Sequence, residues 1–471
     1  MTDLYLTEPR LSAAGPTPAD VARFVPYACN QLQAPFMVKV VMRTQDEYVS
    51  KTEERYKRSN KVKSAIHQNI SNVSQSKVST VSVDPQTDRD MIVIVAVTDV
   101  VGNLVELIFY RCPDIPRLLI KIIGLCIPYH PYFKKLTLRW GPLDGPTLYE
   151  VAKLLSFSHI TELNLDDSPV AAANYYMLLE EQTQLRCLSL ARCNIDDNDC
   201  TIIASKLIHP LPAARTLVML SLASNFICDV GACALGEALR SNRSLQYLNL
   251  SGNQIGDVGA ASIFGSLMEF PLSCDEVVKK RQRQLKYLKT KEEVYTKYYN
   301  ELTTALLEHS HDENSRTGKR KATGTRSRKS SITSTLTATA TSVLDTVSLK
   351  AELMATELLG AYSDPFSIEE TMLHDNYVYS MGNMTLCYLN LAYNCLSYPS
   401  TVKLLEVVTY QSEVAHKVAS GLLRVHLVGN QLPVASRELD VALQLLDKAV
   451  ICRANKQQKR PERSARSVKS K

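Results

Sequence analysis

The residues of this 471-residue chain that invite a chemical reading are its cysteines, its paired histidines and a few glycine–lysine neighbours. Cys187, Cys193 and Cys200, then Cys228 and Cys233, are the densest thiols. A structural zinc site takes its thiolates in close pairs, and no C-x-x-C occurs. These cysteines fall at positions where a repeated pattern wants small buried side chains, so they read as core thiols. His309 and His311 stand one residue apart at a helix end without companion ligands, and read as a solvated pair. Gly318-Lys319 lacks the upstream glycine of a phosphate-binding loop, and the glycines between 252 and 259 belong to a turn. Neither a G-x-S-x-G elbow nor an H-E-x-x-H pair is found. The expectation is a non-enzyme with no catalytic residue, no cofactor and no metal site.

Composition narrows the class. Hydrophobic residues make up 45% and charged residues 22%, which fits a folded globular chain. The 12 cysteines are too sparse for a disulfide scaffold. The first ten residues have neither a basic start nor an apolar run, so we expect no signal peptide and an intracellular protein with reduced thiols. The most apolar stretch, 91–110, carries Asp99, Asn103 and Glu106 around Gly102, which predicts two strands rather than a membrane span.

The net charge of +6 resides in two short segments. Arg316, Lys319, Arg320, Lys321, Arg326, Arg328 and Lys329 form the first, without an acid among them. The second, 453–471, includes Lys459, Arg460, Arg463 and Arg466, with Glu462 as its one acid. The remainder holds 39 bases against 47 acids. Both segments are poor in apolar residues and are expected to be mobile. They are either solvated tails or electrostatic contacts to an acidic surface: tubulin, nucleic acid or anionic lipid. Aromatic residues are not interleaved with the bases, so base stacking is not supported. Arg328-Lys329-Ser330-Ser331 fits a basophilic kinase site, and phosphorylation there would weaken such a contact.

The elements that must position any functional side chain are read from an internal repeat. The frame L-x-x-L-x-L-x-x-N/C-x-L recurs. Its clearest copies start at Leu185, Leu217, Leu245, Leu386 and Leu422, with Cys193, Asn225, Asn253, Asn394 and Asn430 at the polar position. Two weaker copies surround Leu163/Leu165 and Leu136/Leu138, ending in Ser168 and Gly141, for seven repeats in all. Leucines two apart on a strand face the same side. The Asn or Cys satisfies backbone groups of the following turn. One repeat cannot bury its own apolar face, so the copies must stack. Equivalent leucines from Leu136 to Leu248 are 27, 25, 32 and 28 residues apart, which leaves room for a helix after each strand. Asp229–Arg240, with Ala232, Leu235 and Leu239 at helical spacing, supplies one, and Asp257–Phe264 repeats the phrase.

On these residues the chain resembles leucine-rich-repeat proteins of the ribonuclease-inhibitor type, over about 135–275 and 384–450. The resemblance implies an α/β solenoid, a horseshoe with parallel strands inside and helices outside. The expected organisation is an irregular region and linker at 1–90, capping strands at 91–132, five repeats at 133–274, an insertion at 275–383, two repeats and a helix at 384–450, and a basic tail at 451–471. Within the insertion, 275–309 reads as a long helix capped by Asp275, with Val278, Leu285, Leu288, Tyr295, Tyr299, Leu302 and Leu306 on a heptad interrupted by Arg281 and Glu292. It is either an amphipathic helix packed on the horseshoe or a short coiled coil with a partner. A basic linker at 310–342 and helical pieces near 343–360 and 367–374 lead back to the repeats. An interruption after Gly252–Asp257, a basic linker and a return through Met381-Gly382-Asn383 is similar to the family of leucine-rich-repeat-containing protein 71, intracellular proteins associated with motile cilia. That similarity implies an axonemal scaffold without a catalytic motif.

Residues flanking the core leucines are expected to point into the concave face. The candidates are Arg139, Asn164, Asp166, Ser189, Ser221, Tyr247, Asn249, Tyr388, Asn390, Arg424 and His426, with Tyr247 and Tyr388 as anchors because aromatics dominate interface hot spots. The expected function is a protein-interaction scaffold of the cilium or flagellum, with axonemal, microtubule-associated or tubulin partners, no specific nucleic acid and no membrane span. The alternative is a cytosolic regulator or inhibitor adaptor. A small-GTPase activator of the repeat kind would resemble a longer uninterrupted array with an acidic tail, whereas this tail is basic.

Overall fold

Seven three- or four-residue strands each carry a leucine or valine of one matched row inward, and their backbones bond to one another in strict register. They are β4 (Lys135–Leu138), β5 (Glu162–Asn164), β6 (Cys187–Ser189), β7 (Met219–Ser221), β8 (Tyr247–Asn249), β12 (Tyr388–Asn390) and β13 (Arg424–His426). The matched core row runs Leu136, Leu163, Leu188, Leu220, Leu248, Leu389, Val425. All seven are buried, each leucine contributing roughly 1.5–3 kcal/mol. The computed structural model describes residues 15–45, 91–109, 112, 114–139, 141–316, 333–414, 421–433 and 435–467, with backbone alone for 306–316, 333–344 and 455–467. Two units are defined: Met1–Phe270 with Met381–Lys471, and Pro271–Ser380.

The first unit is a ten-stranded sheet with helices, mixed α/β and compatible with a leucine-rich-repeat solenoid. Its order is β1-β2-β3-β4-β5-β6-β7-β8-β12-β13, where β1 is Met37–Thr44, β2 Met91–Thr98 and β3 Leu104–Phe109. Every neighbouring pair is parallel except β2 with β3, a hairpin turning at Gly102. Helices α2 (Arg117–Cys126), α3 (Gly145–Ser156), α4 (Asp197–Lys206), the single turn α5 (Ala213–Thr216), α6 (Asp229–Ser241) and α7 (Asp257–Gly265) follow the strands.

Two polar ladders stitch the repeats together. The Asn225 Nδ2 donates to Leu190 O and Leu222 O at 2.9 and 3.0 Å, while its Oδ1 accepts from Cys193 N and Ile195 N. Asn253, Asn394 and Asn430 repeat this, so each asparagine closes its own turn and the one before. The second ladder runs along the helix starts. Asp197 Oδ1 accepts from Cys228 N and Gly231 N, and Asp229 Oδ1 accepts from Gly256 N and Gly259 N. Each carboxylate thus caps the next helix. The glycines of the repeated D-V-G-A phrase make room for it. A Cβ on Gly231 would lie 2.7 Å from Asp197 Oδ1, and one on Gly259 the same distance from Asp229 Oδ1.

Residues 1–35 hold five prolines, yet their described part is more regular than that suggests. Helix α1 (Val21–Gln31) includes Pro26, is capped by Asp20 and buries Phe24, Val25 and Ala28. Strand β1 follows it, so 1–90 is not wholly irregular. Proline count misleads here because one apolar helix face outweighs a single lost backbone bond.

In the second unit, α8 (Cys274–Arg316) runs seven residues past the expected end, and α9 (Thr333–Leu359) begins inside the expected linker. Residues 317–332 lie outside the described residues. The two helices pack together. Of the heptad positions, Val278, Leu285 and Leu288 are exposed, while Tyr295, Tyr299 and Leu302 are half-buried. Polar contacts come from Arg283, Tyr287, Lys291 and the heptad residue Tyr295. Arg283 makes a bidentate pair with Asp364, 2.6 and 3.1 Å, and Asp364 also accepts from Phe366 N and Tyr362. Burial alone would raise the Asp364 pKa, but the Arg283 hydrogen bonds hold it below the usual value. Residues 367–374 are not helical beyond one 3-10 turn: β10 (Thr371–His374) pairs antiparallel with β11 (Tyr377–Ser380), and the short β9 (Phe270–Pro271) precedes α8 in the chain.

The carboxyl-terminal segment is also helical. After α10 (Tyr398–Val414) and β13, α11 (Arg437–Ser467) continues through most of the segment expected as a mobile tail. Ala442 and Leu446 are buried, and α11 packs on α10, which extends a helix into the basic residues.

Candidate functional site

The alternation that buries the leucines turns the neighbouring residues to the other face of the sheet. Two rows result. The first runs Glu106, Lys135, Glu162, Cys187, Met219, Tyr247, Tyr388, Arg424. The second runs Ile108, Thr137, Asn164, Ser189, Ser221, Asn249, Asn390, His426. Strands β8 and β12 are 141 residues apart in sequence at their core leucines yet directly paired, so the rows cross the insertion without a break.

The half from β3 to β6 is charged and internally paired. Lys135 Nζ lies 3.4 Å from Glu106 and 4.0 Å from Glu162, and Thr137 donates to Glu106 at 2.9 Å. Arg139 pairs with Asp167 at 3.6 Å, and Arg192 closes on the same carboxylate. Chiefly through the Arg192 hydrogen bond, Asp167 stays below the usual carboxylate range. Asp166 accepts from Ser189 Oγ at 2.6 Å and Ala191 N at 3.0 Å. Asn164, Asn249 and Asn390 each use Oδ1 to accept from the backbone N–H two residues on. Arg139, Asn164, Asp166, Ser189, Asn249 and Asn390 therefore share this face but spend polar capacity on their own chain.

The half from β7 to β13 differs. The Tyr247 and Tyr388 rings are stacked, with centroids 4.1 Å apart and planes 7° from parallel. His426 lies 5.2 Å from Tyr388. All three are half-buried, and Met219 and Arg424 are exposed. Burial, with Tyr388 alongside, pushes the Tyr247 phenol up to about 12. Ser221 lies between these strands and the charged half.

The sequence profile of the leucine-rich repeat matches residues 241–264, which hold β8, Asn253 and α7. A repeat of that family is therefore present. Comparison with curated proteins finds no match. No described helix is long and apolar enough to cross a membrane.

Of the basic candidates, Lys319, Arg320, Lys321, Arg326, Arg328 and Lys329, with Ser330 and Ser331, lie outside the described residues. Arg316 ends α8, and Lys459, Arg460, Arg463 and Arg466 lie on α11. Sequence reasoning missed Glu106, although it precedes Leu107 as Lys135 precedes Leu136. Cys193 and Cys200 are buried, and burial pushes the Cys193 thiol up to about 11. Among the described residues no three His, Cys, Asp or Glu side chains gather as a metal set. A cleft of about 370 Å³ opens beside α6 and α7. Its cations are engaged, Arg240 over the Phe270 ring at 4.0 Å and Lys403 with Glu406 at 2.8 Å.

Proposed function

We propose that this protein is a non-enzymatic interaction scaffold, a structural component of the ciliary or flagellar axoneme. The repeat detected at 241–264 favours protein partners. The observation that carries the reading is the unbroken face from β4 to β13, where in-register strands present half-buried and exposed side chains on one continuous sheet. The axonemal part rests on the resemblance of the interrupted, ribonuclease-inhibitor-type array to a ciliary family. The basic residues near 316–329 and 453–471 then attach to an acidic neighbour such as tubulin, as surface charge permits.

The experiment is quantitative blotting of the protein in isolated cilia before and after detergent, then salt, extraction. Retention in the detergent-resistant axoneme with release as salt rises is expected, because exposed charge pairs are screened. Absence from cilia with recovery in cytosol overturns the axonemal role and favours a cytosolic regulator or inhibitor adaptor.

A further inference from the structure

The two halves of the strand face differ in what remains unspent. Between β3 and β6 the acids and bases neutralise one another: Glu106 and Glu162 with Lys135, Asp167 with Arg139 and Arg192. Between β7 and β13 neither row contains an acid. The one fixed charge there is Arg424, which is exposed and whose guanidinium makes no ion pair or hydrogen bond among the described residues. It lies in the same row as the stacked Tyr247 and Tyr388, two strands from Tyr247. His426 adds an imidazole ring beside Tyr388.

We propose that the β8–β12–β13 corner of the face binds a polypeptide segment carrying a carboxylate next to an aromatic side chain. This deepens the scaffold reading and rests on it. The partner's acid pairs with Arg424, the one uncompensated cation of the two rows among the described residues. Its aromatic side chain packs on the Tyr247–Tyr388 stack, a rigid surface that loses little conformational freedom on binding. A basic segment meets Arg424 as a like charge and is rejected. The charged half contributes little affinity, because a partner would have to break existing pairs there.

The test uses the full chain and three fluorescein-labelled ten-residue peptides at physiological salt, read by anisotropy. One alternates glutamate with phenylalanine, one replaces every glutamate by lysine, and one replaces every phenylalanine by serine. The glutamate–phenylalanine peptide is expected to bind more tightly than either control. Arg424→Glu and Tyr388→Ala should each weaken it about tenfold or more, the scale of a hot-spot loss. Arg424 is exposed and Tyr388 half-buried, and Tyr247→Ala, with thermal melting as a fold check, serves if either variant is misfolded. Equal binding of the glutamate and lysine peptides overturns the proposal. So does binding that survives both Tyr388→Ala and Tyr247→Ala, since that locates the peptide on the basic segments. The cilia extraction reads separately: loss of axonemal retention sinks the localisation alone, whereas a failed peptide test with retention intact sinks the partner chemistry alone.

Discussion

The repeat array and the inserted unit are built on opposite principles. In the array every strand buries a leucine or valine in a continuous row, and each asparagine bonds to its own turn and the one before. Load is spread over many equivalent contacts, as expected where stability is a sum of neighbour interfaces. In the insertion α8 has no fully buried side chain among its described residues, and α9 buries Val347, Ala351 and Ala355. The hairpin instead depends on a polar clamp, Asp364 held by Arg283, Tyr362 and Phe366 N. Redundancy makes the array tolerant of local loss; concentration makes the insertion fragile at one residue.

That contrast can be broken at its sharpest point. Asp364→Ala leaves Arg283 without its carboxylate, and breaking a buried pair costs about 3 kcal/mol or more. Hydrogen exchange should show α8 and α9 opening while β4–β8 stay protected. Equal loosening of the array would show that the two units are not energetically separate. Next, Leu248→Ala removes a fully buried core side chain, with an expected loss of about 2–5 kcal/mol. The melting transition of the array should move while the insertion remains protected.

Asn394→Ala is a smaller lesion, about 1–3 kcal/mol from unsatisfied backbone groups at Leu250, Leu391 and Ile255. It should loosen β8 and β12 together, which chemical denaturation followed by exchange would detect.

Acid sharpens the comparison further. Asp364 and Asp257 both titrate below the ordinary value near 3.9. Burial opposes this at Asp257, but Ser397 and Ser400 donate to it. Their stabilisation is complete above that ordinary value and is lost as pH falls through the folded values. Circular dichroism should therefore hold flat to about pH 4 and decline below it, with a smaller acid-dependent change in Asp364→Asn. The smallest effect is expected from excision of 271–380 with a short flexible bridge. Asn383 N already donates to Ser266 O, and β12 already pairs with β8, so array melting should be unchanged.

Much of the array was legible because its signal is local. A strand leucine, its partner two residues on and an asparagine three further form one turn, and copies of that phrase declare themselves wherever they stack. The D-V-G-A phrase was equally visible, though its reason was not: the glycines clear space for an aspartate one repeat away. The candidate site was legible only as a set of positions. Alternation placed Tyr247, Tyr388 and Arg424 on one face, but could not show that Asn164, Asn249 and Asn390 turn back to their own backbones. Nor did charge composition show that helix α11 continues from a packed apolar start as far as Ser467.

The sequence by itself determined the repeat, its strands and the helices that follow them, because these depend on spacings of two to four residues. Only the tertiary structure decided that Leu389 pairs with Leu248, that Tyr388 stacks on Tyr247 and that Asp364 meets Arg283. Each joins residues 81 to 141 apart in the chain. Such pairings are chosen by burial and by the register of backbone hydrogen bonds across the whole sheet or hairpin, and no local pattern of residues encodes them.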